Sequence, residues 1–142
     1  GGASFDTWKE DYLKRDSKTL DRVKNQYADQ MGYYKFVQYI FSLQWKKLKE
    51  YANKNGIYII GDIPIYVALD SADVWADPKA FLLDENYQPT RVAGCPPDAF
   101  SDDGQLWGNP LYDWDKMKSD GYAWWQSRIA HCKSLWLTVR KS

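Results

Sequence analysis

The longest regular hydrophobic pattern in the chain covers residues 33–55, where one side of the segment is apolar and the other is charged. The apolar side comprises Phe36 or Val37, Ile40, Phe41, Trp45, Leu48 and Ala52, and the charged side comprises Lys46, Lys47, Lys49 and Glu50. Spacings of three and four residues are typical of an amphipathic helix. We therefore predict a helix here, closed by Gly56 in the left-handed conformation.

A short apolar run, residues 57–60, follows this helix and is bounded by Gly56 and Gly61. Because neither face of the run carries a charge, it is typical of a strand buried on both sides. A helix, a tight turn and such a strand form the repeating unit of proteins with a parallel sheet. The pattern predicts the α/β class.

Shorter helices are predicted on either side of this unit. Residues 7–30 combine charge with helical spacing and contain a break near Asp16, which predicts one or two surface helices. Three more are predicted: one capped by Asp70 or Ser71 and running through Trp75, one starting at Asp113 or Asp115, and one over residues 122–135.

Mostly irregular structure is predicted over about residues 63–113. Residues 81–83 and 90–92 flank a turn and predict a small hairpin with an edge arm at Pro89. The stretch that follows predicts no regular structure, because it contains the breakers Gly94, Pro96, Pro97, Gly104, Gly108 and Pro110. Its aromatic residues favour an ordered functional loop over disorder. We expect residues 1–142 to form one domain that includes this insertion.

Composition narrows the classes of function. Basic and acidic residues balance at 19 each, so no positive surplus is available for a nucleic acid or an anionic membrane. No apolar stretch approaches the about 20 residues that cross a bilayer, and the first residues do not resemble a signal peptide, so we expect a cytoplasmic protein. We expect the thiols of Cys95 and Cys132 to be inert. We expect no catalytic role for His131, the single histidine. We expect neither a metal nor another cofactor.

Aromatic residues make up 17% of the chain, with eight Trp and eleven Tyr. Rings with polar tips suit surfaces that are partly apolar and partly wet, as the faces of sugar rings are. An aromatic-rich core would explain the same composition. Where the rings lie decides between these two interpretations.

Asp62 is the first candidate site residue, because a carboxylate directly follows the predicted strand. In parallel α/β folds, ligands gather at the carboxyl ends of strands. A carboxylate in that place could accept hydrogen bonds from hydroxyl-rich substrates or pair with an arginine. The alternative is that Asp62 caps the turn that follows it.

The second group of candidates lies in the stretch CPPDAFSDDGQLWGNP, residues 95–110. Prolines stiffen the path and glycines permit close backbone approach, so the other side chains could be presented to a ligand. The candidates are Asp98, Phe100, Ser101, Gln105, Trp107 and Asn109. Stacking on rings and hydrogen bonds to hydroxyls would recognise a sugar. The alternative is that Phe100 and Trp107 anchor the loop to its own domain.

The strings GDIPIYVALDSADVW, residues 61–75, and GQLWGNPLYDW, residues 104–114, are long and unusual. With their surroundings they resemble an internal block of the amylomaltase, or 4-alpha-glucanotransferase, family, over roughly residues 5–135. The resemblance implies a partial (β/α)8 barrel with about two βα units and a long irregular insertion.

The resemblance also implies a substrate and a reaction. The substrates would be alpha-1,4-glucans and maltooligosaccharides, and glucan segments would be transferred by a retaining mechanism with two carboxylates about 5 Å apart. Asp62 would follow the third barrel strand, and the long loop would be an aromatic flap over the acceptor subsites. Asp98, Phe100, Gln105, Trp107, Asn109 and Arg140 would contact glucan. The family often has an aromatic residue after this aspartate, but here the position is Ala99.

The chain departs from the family pattern at its last residues. Ser142 occupies the position of the family's aspartate nucleophile, and the family's acid/base glutamate has no counterpart among the 142 residues. We therefore expect a truncated enzyme that is inactive alone. Two alternatives are a non-catalytic alpha-glucan-binding module and a structural piece that folds only with the rest of an enzyme.

Overall fold

The computed structural model describes residues 2–136, which form six α-helices and one two-stranded sheet. The helices are α1 (Glu10–Leu13), α2 (Ser17–Gln26), α3 (Ala28–Lys54), α4 (Ala72–Ala76), α5 (Trp114–Ser119) and α6 (Ala123–Trp136). The strands are β1 (Val92–Cys95) and β2 (Gln105–Pro110), and single 3-10 turns occupy Phe5–Thr7 and Pro78–Ala80. No helix among these residues is long and apolar enough to span a membrane.

The described chain divides into two compact units. The first unit contains the residues up to Asp16 and Pro64–Ala123, and the second contains Ser17–Ile63 and the residues from Trp124 onward. The first unit therefore includes most of the predicted insertion together with the N-terminal turns. The second unit consists of α2, α3, α6 and the segment that follows α3.

The predicted helices are confirmed, because their signals are local in the sequence. Arg15, at φ +57°, follows α1 and marks the break predicted near Asp16. Gly56, at φ +75°, follows α3 as expected. Of the alternative caps, the Ser71 hydroxyl accepts a hydrogen bond from the Val74 amide at the start of α4. At the start of α5, the Asp113 carboxylate accepts a hydrogen bond from the Lys116 amide.

The strand predicted over residues 57–60 is wrong. These residues have no β-ladder partner in the described chain, and Ile60 is 88% exposed instead of buried. An apolar run becomes a parallel strand only when neighbouring strands accept and donate its backbone hydrogen bonds. That requirement is not met within residues 2–136, so the segment is not part of a sheet in the described chain.

The prediction that the stretch after the hairpin lacks regular structure is also wrong. β1 pairs with β2 in an antiparallel register that joins Gly94 to Leu106 and Cys95 to Gln105. Gly94 is needed at this crossing, because a Cβ there would lie 2.5 Å from the Gln105 carbonyl oxygen. The predicted hairpin is present in a reduced form, as a single bridge between Leu83 and Pro89.

The core of the first unit consists of small and aromatic side chains around these turns. Its buried members are Phe5, Val67, Val74, Ala80, Phe81, Ala93, Tyr112 and Met117. Tyr112 is the largest of the fully buried side chains, and its hydroxyl donates a 2.7 Å hydrogen bond to the Ile65 carbonyl. This core holds the part of the first unit from which the β1–β2 connection extends.

In the second unit, side chains of α3 hold the last turn of α6. The Trp45 indole N–H donates to the Leu135 carbonyl, and the Lys49 ammonium donates to the Ser134 carbonyl, each at 2.9 Å. Carbonyls at a helix C-terminus carry partial negative charge, so a cation there is favourable. Much of the apolar side of α3, including Phe36 and Phe41, is exposed to solvent in the described chain.

Candidate functional site

The connection between β1 and β2 is built as a fixed projection from the first unit. Pro96 and Pro97 enter it with restricted φ angles, and Gly104 leaves it at φ +73°. A Cβ on Gly104 would lie 2.6 Å from the Cys95 carbonyl oxygen, so the two ends of the connection touch where β1 and β2 meet. The position requires glycine both for its conformation and for this close approach.

Phe100 lies at the tip of this projection and is 95% exposed. A phenyl ring in water gains nothing from burial in its own domain, so the interpretation of Phe100 as a loop anchor is wrong. Leu106, on β2, is also well exposed. The side chain of Phe100 is therefore accessible to a ligand that approaches from solvent.

Trp107, on β2, is half exposed, and its orientation is fixed from two sides. The indole N–H donates a 2.9 Å hydrogen bond to the Gln105 side-chain oxygen. The ring also packs against Tyr66, with centroids 6.1 Å apart and planes tilted by 53°. Trp107 therefore combines partial anchoring with an exposed surface, and its contact with glucan stays a prediction.

Tyr66 and Tyr112 support this site, and the sequence reasoning missed both. Tyr66 stacks on the buried Tyr112 with centroids 6.2 Å apart and an interplanar angle of 14°, and Tyr112 in turn packs against Phe81. An aromatic series thus connects the half-exposed Trp107 to the core. Their only signal in the sequence is their presence inside the two unusual strings that carry the family resemblance.

The polar candidates in the loop bond to the protein itself. Asp98 Oδ1 accepts hydrogen bonds from the backbone amides of Phe100 and Ser101, at 2.8 and 2.9 Å. The Asn109 side-chain amide donates to the Val67 carbonyl at 2.9 Å. Asp98 thus shapes the turn around Phe100, and Asn109 fastens the end of β2 to the segment that contains Tyr66.

The remaining candidates do not belong to the described part of the first unit. Asp62 is exposed in the second unit, where its Oδ1 accepts a 2.8 Å hydrogen bond from the next amide, that of Ile63. This contact is local to Asp62 and its neighbour, and the role of Asp62 in a substrate site stays a prediction. Arg140 and Ser142 lie outside the described residues.

A cavity elsewhere in the first unit does not include the exposed aromatic residues. It encloses about 480 Å³, and its lining includes both cations and anions, among them Arg15, Lys79, Asp84, Glu85 and Lys116. Two of its cations already bond within the protein, since Arg15 donates to the Trp75 carbonyl and Lys116 to the Asp120 carboxylate. Within residues 2–136, no group of three or more His, Cys, Asp or Glu side chains could hold a metal ion.

The geometry of the loop is suited to binding, because it displays two aromatic surfaces on a fixed backbone. An exposed ring can stack on the apolar face of a sugar, and a ring that is already oriented loses little freedom when it does so. Of the carboxylates in the loop, that of Asp98 bonds to two backbone amides. The described loop therefore offers surfaces for recognition.

Comparison with known proteins places the chain in a family. The sequence model described as 4-alpha-glucanotransferase matches residues 1–140. A 4-alpha-glucanotransferase from Clostridium butyricum is 48% identical over 138 residues, which cover 96% of this chain and 28% of that protein. One from Streptococcus pneumoniae is 50% identical over 130 residues, 92% of this chain and 26% of that protein.

A solved structure agrees with this assignment. The amylomaltase from Streptococcus agalactiae in complex with acarbose is 43% identical and superimposes with a TM-score of 0.86, covering 94% of this chain and 27% of that one. The chain thus spans roughly a quarter of the length of these proteins. With the family match extending over residues 1–140, the chain belongs to the 4-alpha-glucanotransferase family.

Proposed function

We propose that this chain supplies part of the substrate-binding surface of a 4-alpha-glucanotransferase, with the β1–β2 connection as its glucan-binding loop. The observation that carries the proposal is the 95% exposure of Phe100 on a loop whose backbone is fixed by hydrogen bonds. The half-exposed, oriented ring of Trp107 on β2 provides a second stacking surface. The substrates would be alpha-1,4-glucans and maltooligosaccharides, and the protein would act in the cytoplasm.

The same proposal covers the fold and the reaction of the whole enzyme. The second unit would contribute βα units to a (β/α)8 barrel, where residues 57–60 would find the neighbouring strands that the described chain lacks. Asp62 and Arg140 would then belong to its substrate cleft. Transfer would follow the retaining route, in which one carboxylate attacks the anomeric carbon and a second protonates the leaving oxygen. The acarbose bound to the Streptococcus agalactiae amylomaltase supports a carbohydrate ligand for this family.

Calorimetric titration of the 142-residue chain with maltoheptaose tests the binding proposal. We expect measurable binding that weakens about two- to tenfold in Phe100→Ala, the range of one aromatic stacking contact. Phe36→Ala is the matched control, because it removes an exposed phenyl ring from α3 in the second unit and should leave the affinity unchanged. Equal affinities of the chain and of Phe100→Ala would contradict the proposal.

A non-catalytic glucan-binding module is the second candidate function, and one observation favours it. Two polar side chains of the loop, Asp98 and Ser101, bond to backbone groups, which favours a loop that binds without chemistry of its own. The two candidates share the binding experiment. They differ in whether a longer polypeptide that includes this chain transfers glucan from maltotriose.

A further inference from the structure

Hydrogen bonds of both side chains and backbone close the turn that carries Phe100. Besides accepting from the amides of Phe100 and Ser101, Asp98 donates its own backbone N–H to the Ser101 carbonyl at 3.0 Å. The Ser101 hydroxyl donates to the Gly104 carbonyl at 2.7 Å. Ala99 and Phe100 are left as the two central residues of the turn, and both are exposed.

From these contacts we infer that Asp98 is a positioning residue that holds Phe100 ready to stack on a sugar. The inference rests on the proposed function and deepens it. Oδ1 of Asp98 accepts from two amides at short distances, so both lone pairs of this oxygen serve the turn. Through this atom Asp98 contributes to binding indirectly, by ordering the residues next to it.

The physical basis is the entropy of the loop. Fixing the backbone of a residue has a substantial entropic cost. A loop that is already ordered by folding does not incur this cost again when it binds a ligand, so its binding is stronger. Pro96 and Pro97 restrict the entry to the turn, and Gly104 closes its exit against the Cys95 carbonyl. Asp98 orders the segment between these two ends, where Phe100 lies.

An oxygen acceptor at position 98 is what this role requires, and a negative charge is not. Asp98→Asn keeps Oδ1 and should keep the turn, whereas Asp98→Ala removes the acceptor and should open it. A side chain that bonded glucan through its charge would instead lose affinity in Asp98→Asn as strongly as in Asp98→Ala, although the turn stayed closed in Asp98→Asn. The two variants therefore separate positioning from direct contact.

The test combines maltoheptaose titration with hydrogen exchange of the Phe100 and Ser101 amides in the 142-residue chain. For Asp98→Ala we expect faster exchange of both amides and binding that is about fivefold weaker, the effect of ordering one loop segment on binding. Asp98→Asn should match the unmodified chain in both measurements. Asp84→Ala is the control, because Asp84 Oδ1 likewise accepts from two amides, those of Asn86 and Gln88, away from Phe100.

Ser101→Ala provides a milder variant in case Asp98→Ala does not fold. It removes only the hydroxyl that bonds the Gly104 carbonyl, and we expect about twofold weaker binding with faster exchange of the Gly104 amide, which bonds the Ser101 carbonyl. Circular dichroism of each variant establishes that it is folded before its affinity is compared.

Three outcomes would overturn the inference. If Asp98→Asn lost affinity as strongly as Asp98→Ala while both amides stayed protected, the carboxylate would contact glucan directly. If Asp98→Ala opened the turn but bound maltoheptaose normally, the turn would not position Phe100. Unchanged affinity in Phe100→Ala would contradict the proposed function itself, and the positioning role of Asp98 would fall with it. In the first two outcomes, by contrast, Phe100 would still bind glucan and only the role of Asp98 would be wrong.

Discussion

Trp107 and Phe100 offer ring surfaces to solvent by different means. Phe100 is exposed on a closed turn, whereas Trp107 lies on a strand and is held by the Gln105 side chain and the Tyr66 ring. An indole with its N–H bonded within the protein can rotate less, so the ring keeps one orientation. We expect the two residues to contribute separately to binding, because no ring contact joins them among the contacts described above.

Gln105→Leu tests the role of the hydrogen bond to the indole. The variant removes the oxygen that accepts from Trp107, and we expect about two- to threefold weaker maltoheptaose binding, the effect of one uncharged hydrogen bond that is partly replaced by water. The indole N–H resonance of Trp107 should also shift in the proton–nitrogen spectrum. Gln105→Glu retains an oxygen acceptor and should keep both properties. An unmoved indole resonance in Gln105→Leu would show that this bond does not form in solution.

At single positions, the sequence predicted which residue types a sugar site needs but not what each side chain bonds. Phe100 is exposed as a ligand-binding residue should be. The backbone role of Asp98 was missed, although an aspartate beside Pro-Pro and before a turn is typical of such a contact. Tyr66 and Tyr112 could not be predicted, since their ring contact joins residues that are far apart in sequence.

The β1–β2 hairpin is the element on which the site depends, and its glycines provide a matched pair for testing it. Gly104 and Gly108 both have φ near +75°, at +73° and +78°. A Cβ on Gly104 would lie 2.6 Å from the Cys95 carbonyl oxygen, whereas one on Gly108 would have no atom within 4 Å. The two positions share backbone strain and differ in steric contact.

Gly104→Ala should therefore destabilise the first unit more than Gly108→Ala. The left-handed conformation costs a non-glycine residue about 1–2 kcal/mol in both variants, and the contact with backbone adds to this at Gly104 alone. Urea unfolding followed by tryptophan fluorescence measures the difference in free energy of unfolding. Equal losses in the two variants would mean that the Cys95 carbonyl moves aside freely.

Asp120 connects α5 to α6 and gives this connection a dependence on pH. Its carboxylate accepts from the Lys116 ammonium at 3.2 Å and from the Ala123 amide at 3.2 Å. Chiefly through the hydrogen bond from Lys116, and then through that from Ala123, the pKa of Asp120 lies below its ordinary value of 3.8. The carboxylate thus favours the folded state above about pH 4, and this contribution is lost as the pH falls through the lower folded value.

A carboxyl-carbon NMR titration measures this pKa directly. We expect a value below 3.8 for Asp120 in the unmodified chain, and a rise toward 3.8 in Lys116→Met, which removes the main cause. Lys46→Met is the control, since Lys46 is paired with Glu50 on α3, at 4.0 Å, and should not affect Asp120. A value for Asp120 that did not respond to Lys116→Met would contradict the assigned cause.

Helices were predictable from the sequence and strands were not, for a reason that lies in their hydrogen bonds. A helix bonds within itself, so spacing, caps and closing glycines such as Gly56 indicate it locally. A strand bonds to a partner that may be distant along the chain. Residues 57–60 have strand composition without a described partner, whereas β2 has a partner in β1 although it contains a glycine and a proline.

For the whole molecule, binding and catalysis are expected to separate. The family resemblance locates the nucleophile at the position of Ser142, and a serine hydroxyl does not replace a carboxylate oriented for attack on an anomeric carbon. The residues expected to bind glucan, by contrast, are within this chain. A polypeptide of these 142 residues should bind maltooligosaccharides and leave them uncut.

Incubation with maltotriose tests this separation. We expect no release of glucose by the 142-residue polypeptide, with the Clostridium butyricum 4-alpha-glucanotransferase as the positive control under the same conditions. Loss of even one group of a concerted catalytic set typically lowers the rate by several orders of magnitude. Glucose release that rises in proportion to polypeptide concentration would show that other residues of this chain carry out the chemistry.

The family was accessible from the sequence because two long strings, residues 61–75 and 104–114, are distinctive. The division into two units was not, since it brings the N-terminal turns together with residues beyond Pro64. The Gln88 side chain, for example, donates a 2.8 Å hydrogen bond to Asp6 across 82 positions. No periodicity along the chain indicates such a contact.

The most direct test of the glucan-binding loop is a proton–nitrogen NMR titration of the 142-residue chain with maltoheptaose. We predict that the indole N–H of Trp107 and the amides of Phe100 and Ser101 shift together, with one dissociation constant. Cellohexaose, which has β-linkages, should produce smaller shifts at the same concentration. Maltoheptaose shifts confined to other residues, or none at all, would contradict the account.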